Sequence, residues 1–126
     1  MSEKLKPLVS VIVSCYNHEA YIQQCLISIL QQDYPNIELL VIDDGSNDRS
    51  VERIEELREK YSFFFKAREN RGLTKTLNEL VNMSKGEFII PLGSDDVMLP
   101  GRISAQINYM VDKPEVGICG GNIELI

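Results

Sequence analysis

Two hydrophobic periods alternate along this chain, and that alternation is its strongest constraint. Residues 8–16, LVSVIVSCY, form a nearly unbroken run of β-branched and apolar side chains. Such a run suits a strand buried on both faces. The next stretch, HEAYIQQCLISILQQD, switches to helical spacing: Ile22, Cys25, Leu26, Ile29 and Leu30 make one apolar stripe. Pro35 ends it. The switch then repeats. IELLVIDDGS, residues 37–46, reads as a second strand, and NDRSVERIEELREKY as a helix amphipathic through Val51, Ile54 and Leu57. SFFFKAR reads as a short strand. ENRGLTKTLNELVNMSKG reads as a helix with Leu73, Leu77, Leu80 and Val81 inward and Gly86 as its C-cap. EFIIPLGSDD is a fourth strand, PGRISAQINYMVDKP a helix between Pro100 and Pro114, and EVGICGGNIELI a fifth strand. The order βα βα βα βα β predicts an α/β fold, a mostly parallel sheet with helices on both faces.

A chain of 126 residues suits one domain, read here as residues 1–126. Nineteen acidic against thirteen basic residues leave a net charge of −6, with no basic stripe, which argues against nucleic acid as a partner. Cys15, Cys25 and Cys119 are odd in number and lack metal-ligand spacing, so they read as buried free thiols. No apolar run is long enough to span a bilayer and the first residues carry no signal-peptide pattern, so the chain is expected to be cytoplasmic.

In a parallel sheet all carboxyl ends point one way, and ligands bind there, at the topological switch point. Strand one delivers Ser14, Cys15, Tyr16 and Asn17 to that rim, and strand two delivers Asp43, Asp44, Gly45 and Ser46. The third strand's loop adds Asn70, Arg71 and Gly72, and strand four adds Ser94, Asp95 and Asp96. A single acid in a loop is commonly just solvated or caps a helix. Two strands that both end in Asp-Asp weaken that reading. There is no GxxxxGK[ST] and no GxGxxG after strand one, so a bound diphosphate needs another grip. Carboxylates with Mg²⁺ or Mn²⁺ supply one, since hard oxygen ligands keep the ion and the ion takes phosphate oxygens.

With S-x-Y-N after strand one, DDGS after strand two, N-x-G before the third helix and S-D-D-x₃-P after strand four, the chain resembles the N-terminal half of a family 2 glycosyltransferase. The resemblance runs from Leu8 to the end and implies the GT-A fold with its Rossmann-like sheet. It implies metal-dependent, inverting transfer of a sugar from a nucleotide-diphosphate sugar, expected to be a UDP-sugar, to a glycan or lipid-linked acceptor. Cell-surface polysaccharide biosynthesis, with peripheral association at the inner face of the membrane, is the setting it implies. Carried over by position, Ser14, Tyr16 and Glu19 line the nucleotide pocket, Asp44 meets the base, Arg71 reaches the nucleotide, and Asp43 supports its turn. Asp95 faces the ribose or sugar and Asp96 is the ligand for Mg²⁺ or Mn²⁺.

Two departures stand out. Many members carry an acid where this chain has Gly93, which lowers the carboxylate count. The family's catalytic base and acceptor half follow the strand that ends here, so the chain reads as a fragment with the donor half present and the catalytic base beyond Ile126. Such a fragment is expected to be inactive alone, and its Ile118 and Ile123 are expected to favour self-association. His18, the single histidine, is expected to face solvent near a helix start. Two other classes remain in view. One is a non-catalytic nucleotide-binding or assembly domain of the same fold. The other is a receiver-like phosphoacceptor, which places its acidic pair after the first strand, where this chain has Ser-Cys-Tyr-Asn.

Overall fold

The computed structural model describes residues 6–112. The predicted alternation is present: β1 (Val9–Cys15), α1 (Ile22–Leu30), β2 (Ile37–Asp44), α2 (Ser50–Arg58), β3 (Phe64–Arg68), α3 (Leu73–Met83), β4 (Phe88–Pro91) and α4 (Arg102–Asp112). The fifth strand expected at residues 115–126, with Cys119, Ile118 and Ile123, lies outside the described residues.

The four strands form one parallel sheet in the order β3-β2-β1-β4. The chain moves outward from β1 through β2 to β3, then returns to place β4 on the other side of β1. The switch point therefore lies between the carboxyl ends of β1 and β4. The central position of β1 explains its composition, since Val9, Val11, Val13 and Cys15 face one layer while Ile12 faces the other, all at most 2% exposed.

The larger core joins the first face of β1 and β2 to Ile22, Cys25, Leu26 and Ile29 of α1, Ile54 and Leu57 of α2, and Ile103 and Ile107 of α4. The smaller core joins Ile12, Leu40 and Ile42 to Leu80 of α3, with Leu77 and Met83 packed against it. The α1 stripe is the expected one. That of α3 is rotated. Leu80 and Thr76 are fully buried, while Leu73 is 61% and Val81 43% exposed. Leu73 opens the helix at the rim, past the sheet's side chains, and Val81 lies a further 100° around the helix from Leu80.

Gly86 also differs from expectation. The α3 C-cap is Ser84 in an extended conformation, not a left-handed glycine. A Cβ on Gly86 would lie 2.7 Å from the Ser10 amide nitrogen and 2.8 Å from the Leu8 carbonyl oxygen. Glycine is needed there because the chain entering β4 passes against the β1 backbone.

Candidate functional site

The loops after β1 and β2 are sewn together at the rim. Asn17 adopts a left-handed φ of 53°, which asparagine tolerates better than most residues. That turn lets its amide donate to Ser46 Oγ (2.8 Å) while its Oδ1 accepts from the Asn47 amide (2.7 Å). The amide of His18 donates to Ser50 Oγ (3.0 Å) and that of Glu19 to Asp48 Oδ2 (3.1 Å). In return Glu19 Oε1 accepts from the Arg49 amide (2.9 Å). Glu19 thus serves the start of α2, beside Asp48, which accepts from the Ser50 amide. Ser14 and Tyr16 flank this clasp, Ser14 half-buried and Tyr16 44% exposed.

The paired acids ending β2 have divided roles. Asp43 folds over its own turn, accepting from the amide (2.8 Å) and hydroxyl (2.6 Å) of Ser46, as an Asx-type turn requires. Asp44 turns toward β3 and α3. Its Oδ1 accepts from Arg68 Nη1 and the Arg71 amide, both at 2.8 Å, and its Oδ2 from the Gly72 amide at 3.1 Å. Burial pushes its pKa up, but the Arg71 amide, Arg68, Thr76 and the Gly72 amide outweigh burial and hold it below the usual carboxylate range.

Arg68 is the residue that sequence reasoning missed. Its side chain is 8% exposed, and it also bonds Glu79 Oε1 (3.0 Å) and Thr76 Oγ1 (2.8 Å). The available signal was register: Arg68 ends β3 directly opposite Asp44 on β2. Arg71 meets Asp44 through its backbone, and its side chain is exposed.

Beyond β4, Asp95 and Asp96 are exposed and Ser94 is 3% exposed. The Asp96 amide donates to Gly93 O (3.0 Å), closing a tight turn. A Cβ at Gly93 would lie 2.8 Å from Asp96 Oδ2 and 3.2 Å from Asp95 Oδ1. The missing side chain therefore leaves room for both carboxylates to fold back toward one point. Among the described residues no set of three His, Cys, Asp or Glu side chains could hold a metal by itself. Two exposed carboxylates at a rim still fit Mg²⁺ or Mn²⁺, which take a few protein oxygens and complete their shell with phosphate and water.

α1 holds this loop from the core side. The Cys25 thiol donates to Gly93 O (3.4 Å), Ser28 Oγ accepts from the Met98 amide (2.8 Å), and Gln32 Nε2 donates to Leu99 O (2.8 Å). His18 holds it from the rim side. Rather than facing solvent, its ring is half-buried with Nδ1 2.5 Å from Ser94 Oγ, because the clasp between the β1 and β2 loops turns it toward β4. The thiols of Cys15 and Cys25 are buried, and burial raises their pKa values to about 11 and about 12.

A profile described as glycosyl transferase family 2 matches residues 10–124. The chain belongs to glycosyl transferase family 2. An uncharacterized glycosyltransferase of Haemophilus influenzae is 37% identical over 109 residues, which are 85% of this chain and 44% of that protein. The poly-beta-1,6-N-acetyl-D-glucosamine synthase of Staphylococcus epidermidis is 32% identical over 115 residues, 90% of this chain and 28% of the relative. Among solved structures, a mannosyltransferase from Pyrobaculum calidifontis in complex with GDP-Man and Mn²⁺ aligns with a TM-score of 0.79 at 25% identity, over 86% of this chain and 33% of that one. S. aureus TarS 1-349 in complex with UDP-GlcNAc aligns at a TM-score of 0.76 and 30% identity, over 83% of this chain and 31% of that one. These similarities establish the GT-A fold and membership of glycosyl transferase family 2, and they remove the receiver-like reading. The chain spans less than half the length of these relatives. Among the described residues, no helix of this family 2 domain is long and apolar enough to cross a membrane.

Proposed function

We propose that this family 2 domain binds the nucleotide-diphosphate sugar, a UDP-sugar, for inverting transfer to a glycan or lipid-linked acceptor in cell-surface polysaccharide synthesis. The observation that carries the reading is the bond from the β1 loop to Ser94, which brings the exposed Asp95 and Asp96 that follow it to the sheet's switch point. The Pyrobaculum protein's GDP-Man and Mn²⁺, the UDP-GlcNAc of TarS and the Staphylococcus synthase's product support it by similarity.

Ser14, Tyr16 and Glu19 form one wall of the nucleotide pocket, and Asp44 with Arg71 forms the other. Asp44 is ionised and can only accept; its Oδ1 is taken by Arg68 and the Arg71 amide, so it meets the base through Oδ2, as acceptor of a base N–H beside the Gly72 amide. Asp95 faces the ribose or sugar. Asp96 holds Mg²⁺ or Mn²⁺, and when bound the ion neutralises charge on the departing diphosphate. We assign the general base and acceptor binding to sequence outside Met1–Ile126, so that the domain alone binds donor without transferring it. We place the protein on the cytoplasmic side, peripheral to the inner face of the membrane.

Calorimetric titration of the chain with UDP, with and without Mn²⁺, tests this, followed by Asp96→Ala. Metal-dependent binding that the substitution abolishes is the expected result. A folded chain that binds neither UDP, GDP nor dTDP under either condition would refute donor binding. A full-length protein that binds donor but never turns it over would favour the non-catalytic alternative.

A further inference from the structure

Among the described residues, the strand pairing of β4 ends at Pro91, before the loop carrying Asp95 and Asp96. The α1 side chains described above anchor its two ends, at Gly93 and at Met98 and Leu99. Between those anchors, the one residue preceding the acidic pair is Ser94, buried and bonded to His18. His18 itself is held at three further points. Its amide donates to Ser50 Oγ, and its carbonyl accepts from the Tyr21 (3.0 Å) and Ile22 (2.9 Å) amides at the start of α1. Its ring meets Tyr21 edge-on at 6.0 Å. With its backbone fixed on both sides and its half-buried ring against Tyr21, His18 has less freedom to lose when the ring bonds Ser94, so the bond can transmit position.

We propose that His18 is a positioning residue for the acidic pair. Through Ser94 it sets where the Asp95 and Asp96 carboxylates stand relative to the nucleotide wall formed by the β1 loop. The bond crosses the switch point and joins residues 76 positions apart. It acts one step further out than a partner bonded to the ligand itself, whose loss typically lowers metal affinity by roughly 10–100-fold, so an effect at the lower end of that range is expected. The proposal rests on the reading of Asp96 as the metal ligand.

The test uses the whole chain and Mn²⁺ alone as the probe. Paramagnetic broadening of the backbone amide signals of Asp95 and Asp96 is followed as Mn²⁺ is added, and the melting temperature of each variant is recorded. The chain with His18 intact is expected to show broadening confined to this loop. His18→Ala and Ser94→Ala should each need roughly 10-fold more Mn²⁺ for the same broadening, and the double variant no more than either single one. His18→Asn, whose amide group can take the place of Nδ1, should restore the response, whereas His18→Gln, which reaches further, should not. Equal broadening with His18 intact and in His18→Ala would overturn the proposal. So would independent, additive losses in the double variant, or a loss that merely follows the melting temperature across the series. If the unsubstituted chain shows no broadening at these residues, the metal assignment itself fails, a result distinct from the others.

Discussion

At the scale of single residues, the decisive contrast is among aspartates. Asp43 is consumed by its own turn, Asp44 is clamped by protein donors, and Asp95 and Asp96 stand exposed. Arg68 makes the Asp44 arrangement tenable, because a buried carboxylate without a cation is costly. Arg68→Met should therefore destabilise the domain by about 3–5 kcal/mol, measured by urea denaturation. Arg68→Lys should recover only part, since an ammonium cannot span Asp44, Glu79 and Thr76 as the planar guanidinium does. The same site predicts a pH dependence. The folded pKa of Asp44 lies below its unfolded value, so its stabilisation is complete above the unfolded value, about 4. It is lost as pH falls through the lower folded value. Chemical denaturation across the acid range should show stability falling with pH, and Asp44→Asn should flatten that fall.

At the scale of elements, the turns and helix starts at the rim explain where side chains cannot go. Gly45 has φ +80°, and a Cβ there would lie 2.5 Å from the Asn70 amide nitrogen. Gly72 has φ +97° but open space around it. Both are strained for other residues, yet only Gly45 is also crowded by backbone. Gly72→Ala should cost about 1–3 kcal/mol from conformation alone, since φ 97° with ψ 153° is a region essentially only glycine adopts. Gly45→Ala should cost more and should shift the Asn70–Gly72 amide signals, because the Asn70 bond to the Asp44 carbonyl must give way. Equal costs for the two would show that the close approach does not matter.

At the scale of the whole molecule, the order β3-β2-β1-β4 puts Cys15 at the end of the central strand and Cys25 on the helix beneath the β4 loop. Burial keeps both as thiols, with pKa values near 11 and 12. Near neutral pH the reactive thiolate is scarce and covered. Site-resolved mass spectrometry should find both unlabelled by a thiol reagent in the folded protein and labelled at once in denaturant. Rapid native labelling at Cys25 would mean that the Gly93 loop opens readily, since its thiol bonds that loop's first carbonyl.

Much of this was legible in residues close together in the chain. The switch between two-faced apolar runs and 3.6-residue stripes marked the elements, because backbone geometry itself sets those periods. The acids at the ends of β2 and β4 could be placed on one rim, because parallel strands share a direction. The Asp43 turn is likewise a matter of four consecutive residues, Asp43 to Ser46. Other roles depended on partners distant in sequence. Arg68 reaches Asp44 across 24 positions only because β3 lies beside β2 in a particular register. His18 turns from solvent to Ser94 only because β4 returns to the far side of β1. Gly86 looked like a helix cap and proved to be a point of close backbone approach. Residue type and local spacing determine what a side chain is able to do. Strand order and register decide which neighbour it meets, and so which of several identical carboxylates is clamped and which stands exposed at the rim.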